Sequence, residues 1–189
     1  MLSVWLRTPE VARWWGDPDE QAALLRADLS EPRMVMEIVL FGGKPFAYAQ
    51  NYDVHIWPQP HFASLPPGSR AIDAFIGEPG MIGRGHGGAF LKALALRLKR
   101  AGAPVVAIDP DVENIRARRA YGNASFRAEA VVETGDGPAA LMIFIGSPRR
   151  GRRAGRRTIA GSGGPDQVDL GGRSPRLLLI WRRSLALVW

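Results

Sequence analysis

"MIGRGHGGAF", residues 81–90, sets glycines at 83, 85, 87 and 88 around one arginine and one histidine, with Gly80 just upstream. Its flanks decide the fold. "RAIDAFIG" (70–77) before it reads as a strand. "GGAFLKALALRLKRAG" (87–102) after it carries Phe90, Leu91, Leu94 and Leu98 on one helical face and stops at Gly102. "PVVAID" (104–109) is then a buried strand and "VENIRARRAYGN" (112–123) a short helix. Strand, loop, helix, strand makes one parallel crossover.

Further out, "TPEVARWWG" (8–16) starts a helix with Pro9 after Thr8 and stops it at Gly16, and "PDEQAALLRADLS" (18–30) is a second helical stretch. "RMVMEIVL" (33–40) is a strand, "GGKP" (42–45) a turn and "FAYAQNYDVHIW" (46–57) the partner strand. The Pro-rich "PQPHFASLPPGS" (58–69) is too long for a simple connection, and loops of that kind often carry function. "FRAEAVVET" and "PAALMIFI" flank Gly135-Asp136-Gly137, a second hairpin. The expected class is α/β, a mixed central sheet with flanking helices.

The chain has 189 residues, enough for one domain with a real core, and its 46% hydrophobic content is ordinary for a globular protein. Zero cysteines exclude disulfides, thiolate metal sites and a cysteine nucleophile. No run of about 18 apolar residues offers a membrane-spanning helix. The N-terminus lacks the basic-then-apolar pattern of a secretory signal, so a cytoplasmic protein without a membrane partner is expected. The net charge of +7 sits in the tail: residues 148–189 hold ten arginines and two aspartates, leaving 15 basic and 16 acidic residues in 1–147. A body that close to neutral argues against a basic nucleic-acid face. His55, His61 and His86 lack metal-ligand spacing, and no metal is expected.

Between a strand and a helix, the glycine loop brings free N–H groups and a helix dipole to one point, which suits a phosphate. A Walker loop would end Gly-Lys-Ser/Thr, and this one ends Gly-Gly-Ala. A dinucleotide fingerprint would open a domain; here 80 residues precede it.

Ile82-Gly83-Arg84-Gly85-His86-Gly87 resembles the pyrophosphate loop of the GCN5-related N-acetyltransferases (GNAT), usually Gln/Arg-x-x-Gly-x-Gly/Ala, with Ile82 departing at the first position. "WWG" (14–16), "YAQNY" (48–52), "RAID" (70–73), the loop, "DPDVEN" (109–114), the Tyr121 helix and "GDGPA" (135–139) follow in one order. Together they resemble the aminoglycoside 6'-N-acetyltransferase branch over about residues 1–145.

The resemblance implies acetyl transfer from acetyl-CoA to a small-molecule amine. It implies that Ile82, Gly83, Arg84, Gly85, His86, Gly87 and Gly88 surround the coenzyme pyrophosphate, with the backbone glycines and Arg84 as the main holders and His86 contributing little. Phe75 and Ile76 belong to the same coenzyme site, and Asn114 would bond the pantetheine amides. Asp73, a carboxylate among Ile72, Ala74 and Phe75, is the candidate base; otherwise it pairs with Arg70 or is a surface carboxylate. Tyr121 is the candidate acid, on one helix face with Asn114 and Arg118 by i, i+4, i+7 spacing. Gln50, Tyr52, Asp73, Asp109 and Asp136 are the candidate amine-binding set, and carboxylates of this kind attract polycations.

The family begins with a strand and half a helix before "WLRTPEVARWWG". The resemblance therefore implies a missing first strand, an open edge beside the strand at 33–40 and lower stability. Residues 1–147 are expected as the acetyltransferase domain and 148–189 as an Arg/Gly-rich tail, disordered over 148–176 and dispensable for acetyl transfer. The last 13 residues read as a short helix, and Asn123 as the source of the left-handed turn before Phe126. A monomer or homodimer is expected. Two other readings stand beside the leading one: acylation of a hydroxylysine-type side chain in siderophore assembly, and an inactive GNAT-fold protein whose Arg tail binds nucleic acid or anionic membrane.

Overall fold

Gly42 and Gly43 both take positive φ, 57° and 80°, as a two-residue type I′ turn requires, and join strands β1 (Val35–Phe41) and β2 (Lys44–Asp53). That turn sets the register from Phe41↔Lys44 to Val35↔Asn51, with one irregularity at Val39/Leu40. β3 (Arg70–Ile76) lies antiparallel on β2 and puts Asp73 opposite Gln50. β4 (Val106–Ile108) is parallel to β3, while β5 (Phe126–Thr134) and β6 (Gly137–Phe144) close the far side as an antiparallel hairpin. The sheet order is β5-β6-β4-β3-β2-β1-β7, β7 being Leu177–Ile180. The computed structural model describes residues 1–147 and the backbone of 177–180.

The parallel pair is short: only Arg70↔Val106 and Ala71↔Ala107. Beyond Ile108 the chain follows β6 instead, the Ala140 N–H bonding Pro110 O at 2.8 Å and the Val112 N–H bonding Pro138 O at 3.2 Å. β3 meanwhile continues along β2 to Ile76. The two strands part, and a wedge opens in the middle of the sheet.

Side chains alternate along a strand, and the alternation sorts the two faces. Ala47, Ala49, Ile72, Ala74 and Ile76 pack with Phe90 and Leu94 of α4 (His86–Arg100) in the main core. On the other face, α1 (Leu2–Leu6), α2 (Pro9–Trp15) and α3 (Pro18–Asp28) bury Trp5, Leu6, Val11 and Leu25 against Tyr48 and Phe75. A separate cluster under the 58–69 loop joins Met34, Val54 and Phe62 to Tyr52, Ala71 and Ala107. Between these two clusters the same face carries Gln50 and Asp73. On the α4 side, Glu37 is buried and ion-paired with Arg97. Deleting that arginine would strand a buried carboxylate, at a cost of about 3–5 kcal/mol.

Most elements fall where the sequence puts them, with α5 (Ile115–Asn123) the last helix. Local details differ. α3 is capped by the Asp17 side chain, which accepts from the Asp19 and Glu20 N–H groups, whereas the Thr8 hydroxyl donates to Trp5 O at 2.7 Å rather than capping α2. Asn114 stands before α5 as its cap, accepting from the Ala117 N–H at 3.1 Å, so it is not part of a helical face. The left-handed residue before Phe126 is Ser125, φ 74°, not Asn123, which still belongs to the helix.

The outer edge of β1 is not open. β7 pairs with it antiparallel, from Phe41↔Leu177 to Ile38↔Ile180. An unpaired strand edge presents a row of backbone donors and acceptors, and the Leu-Leu-Leu-Ile run satisfies them as a strand, which also replaces the helix expected at 177–180. The disorder expected over 148–176, like the rest of the terminal helix, lies outside the described residues.

Candidate active site

The glycine loop ends on Gly85, the N-cap of α4, at φ 81° and without a side-chain cap. The helix starts at His86, one residue earlier than its glycines suggest, and its first backbone bond runs from the Ala89 N–H to Gly85 O. The N–H groups of His86, Gly87 and Gly88 thus have no helical partner and face outward with the positive end of the dipole. Gly88 also serves the packing of the helices. A Cβ there would lie 3.0 Å from the backbone oxygen of Ala120, so a side chain would push α4 and α5 apart by a few tenths of an ångström.

In front of these donors is a cavity of about 350 Å³. Its walls are Ala74, Phe75 and Ile76 of β3, Ile82, Gly83, Gly85, Gly87 and Gly88 of the loop and α4, Asn114 and Tyr121 of the α5 segment, and Val11, Trp14 and Trp15 of α2. Past Ala71 the side of β3 that faces the wedge has no strand partner among the described residues, which leaves its backbone groups open to an extended ligand. Anion donors at one end, a slot beside an unpaired strand in the middle and a tyrosine at the other end fit a phosphate-bearing thioester such as acetyl-CoA.

The other side of Tyr121 is acidic. Asp73 Oδ2 accepts from Gln50 Nε2 at 2.9 Å, and Gln50 Oε1 accepts from the Tyr48 hydroxyl at 2.6 Å. Burial, then the negative charge of Asp109, pushes the Asp73 carboxyl up to about 7, with Asp28 adding to the rise and the Gln50 bond opposing it. Burial and the nearby Asp136 push Asp109 up to about 6, against a backbone hydrogen bond. Tyr121 is held well above the usual phenol range by burial, then by Asp73 and Asp109, so its hydroxyl stays protonated. A carboxylate that ionises near neutrality beside a protonated phenol is a base and an acid within one site.

The structure brings together most of the residues singled out in the sequence. Asp73, Gln50, Tyr52, Asp109, Asp136 and Tyr121 share one acidic neighbourhood, and Phe75, Ile76, Ile82, Gly83, Gly85, Gly87, Gly88 and Asn114 line the cavity. Arg84 and His86 are not among the lining residues. The His86 ring lies instead on Phe41 and Phe46, 4.3 and 5.9 Å between centroids. Arg70 bonds Asn51 rather than Asp73, and Arg118 donates to Val112 O at 2.9 Å instead of facing the site. Two residues escape the sequence reading. Asp28, at the end of α3, bears electrostatically on Asp73, and His61 Nε2 lies 2.9 Å from Asp109 Oδ2. The only signal for His61 is its place in an overlong loop. Among the described residues, no group of three or more His, Asp and Glu could hold a metal ion, and no helix is long and apolar enough to cross a membrane.

This arrangement defines an acyl-transfer site on a split mixed sheet, and comparison places it. Residues 1–134 match the family described as acetyltransferase (GNAT) domain, and the chain belongs to that family. It is 30% identical, over 76% of each chain, to the aminoglycoside N(6')-acetyltransferase type 1 of Klebsiella pneumoniae. A kanamycin resistance protein of Rhizobium radiobacter is 35% identical over 78 residues, 41% of this chain and 72% of that one. Among solved structures, AAC(6')-Ib in complex with coenzyme A and kanamycin superposes with a TM-score of 0.66 at 29% identity, covering 76% of this chain and 86% of that one. The same enzyme in complex with paromomycin and acetyl-CoA gives 0.67.

Proposed function

We propose that the protein transfers the acetyl group of acetyl-CoA to the 6'-amine of an aminoglycoside, and that residues 1–147 carry the whole reaction. The observation that carries this is the position of Asp73, a carboxyl held up to about 7, next in the chain to Ala74 and acting electrostatically on Tyr121, both of which line the cavity, while it joins a row of carboxylates on the other side. Relatives named for the same transfer support it.

In this reading the N–H groups of His86, Gly87 and Gly88 hold the pyrophosphate, and the open side of β3 with the Asn114 amide aligns the pantetheine arm. Asp109, Asp136 and Asp28 hold the cationic ring substituents of the antibiotic. Asp73 takes one proton from the 6'-ammonium, directly or through water. The freed nitrogen attacks the thioester carbonyl, the C–N bond forms, the C–S bond breaks, the Tyr121 hydroxyl protonates the departing thiolate, and the second proton shed by the nitrogen restores the Tyr121 hydroxyl, directly or through water. The row of four carboxylates favours a polycation over a hydroxylysine side chain, which brings a single amine centre.

The test is free-thiol release from acetyl-CoA with kanamycin-class amines, lysine derivatives or no acceptor. Release with the antibiotics alone supports the reading. Release with lysine derivatives only, or no acceptor-dependent release at all, overturns it. Tyr121→Phe should lower kcat with little change in the coenzyme's KM.

A further inference from the structure

His61 stands in the 58–69 loop, on a 3-10 turn (Pro60–Phe62) that packs against β5, and its side chain is only 4% exposed. One ring nitrogen meets Asp109 at 2.9 Å; the other, Nδ1, is buried with no hydrogen-bond partner among the described residues. The orphan settles the proton's place. An imidazolium would bury an unsatisfied Nδ1–H donor, costly by the desolvation of that group, and burial already lowers the affinity of His61 for a second proton. The neutral form with its proton on Nε2 leaves only a lone pair unmatched. His61 is thus a fixed, uncharged donor aimed at a carboxylate whose own side chain is 21% exposed.

We propose that His61 is a positioning residue that keeps Asp109 ionised, so that Asp73 rather than Asp109 is the first of the two carboxyls to take a proton. The link is electrostatic. An ionised Asp109 faces Asp73 and makes a second negative charge there unfavourable, and the burial of Asp109 would cancel that effect if the His61 N–H did not hold its charge. Other groups facing the pair are Asp28 from α3, Tyr48, Gln50 and Tyr52 from β2, Tyr121 from α5 and Asp136 from the β5–β6 turn. None of them gives the Asp109 carboxylate a side-chain hydrogen bond among the described residues; His61 does. The inference deepens the proposed reaction and rests on it only where kinetics are read.

The experiment is site-resolved carboxyl titration by NMR of the free protein, in wild type, His61→Gln and His61→Phe, with melting curves to confirm folding. The Gln amide can reach as Nε2 does and donate; Phe cannot. Wild type and His61→Gln should protonate Asp73 first as pH falls, and His61→Phe should protonate Asp109 first, its midpoint up by about one pH unit. In acetyl transfer at pH 6, His61→Phe should raise KM for a polycationic amine about tenfold, the loss of one charged contact, while the acid limb of kcat moves to lower pH. Asp109 protonating first in wild type, the wild-type order in His61→Phe, or the same inversion in Gln and Phe overturns the proposal. Because the titration needs no turnover, absence of activity with every amine would sink the proposed reaction and leave this test standing.

Discussion

The coenzyme cavity and the carboxylate row lie on either side of Tyr121 and are built in opposite ways. In the proposed reading the cavity holds its ligand mainly with backbone: three N–H groups at the start of α4, a strand side without a partner among the described residues, and glycines where two helices approach. Its chemistry is set by shape, and one contiguous string supplies most of it. The row is all side chain, drawn from α3, β3, the end of β4 and the β5–β6 turn, with a histidine from a loop behind it. Its chemistry is set by mutual charge and burial, and no two of its carboxylates are neighbours in the chain. Backbone recognition should tolerate changes of pH and salt; side-chain recognition should not.

The largest break in that contrast should come from Asp73→Asn. Turnover should fall by about 10²–10⁴-fold, with coenzyme affinity measured by calorimetry unchanged. Wild-type turnover would remove Asp73 from the mechanism. The same substitution should raise the melting temperature at pH 8. A carboxyl held up to about 7 binds its proton more tightly folded than unfolded; its stabilising effect is therefore lost as pH rises through 7, and asparagine escapes that loss. The two curves should converge near pH 4, about the ordinary carboxyl value.

Next in size is Gly85→Ala. A side chain forced into the left-handed region costs about 1–2 kcal/mol, so the coenzyme's KM should rise about tenfold while the amine's KM and the pH profile stay put. Asp136→Asn should act on the other region alone, raising KM for the antibiotic a few-fold at low salt and hardly at all in 0.5 M salt, where the Debye length is about 4 Å. Equal effects of salt on both substrates would erase the distinction. The smallest effect on catalysis is expected from ending the chain at Ser147. kcat should be unchanged, but the bare edge of β1 should promote self-association, visible by light scattering.

These contrasts also explain what the sequence could disclose. Periodicity and turn chemistry are local, so the β1–β2 hairpin at Gly42-Gly43, α4 and the Gly135-Asp136 turn are legible residue by residue. The glycine loop is legible for the same reason, and so is the small part expected of His86: with the helix starting one residue earlier, its ring lies against Phe41 and Phe46. Asp73 and Tyr121 were reached through resemblance, since spacing alone leaves a strand aspartate free to pair with Arg70. The His61–Asp109 contact spans 48 residues, and the Asp28 influence on Asp73 crosses between layers. Neither leaves a local trace. The same holds for β7, whose pairing with β1 joins segments far apart in the chain and depends on an edge that exists only once the sheet has formed.

The two-residue parallel pair between β3 and β4 has a mechanical consequence. It leaves the sheet as two rafts, β7-β1-β2-β3 and β4-β6-β5, hinged at a narrow seam and strapped by α4. A molecule lying in the wedge touches both rafts and acts as a clasp. Bound coenzyme should then slow amide exchange on both sides of the seam and resist proteolysis there, by mass action on the closed form. The lifetime of the folded chain would follow the supply of its own acyl donor.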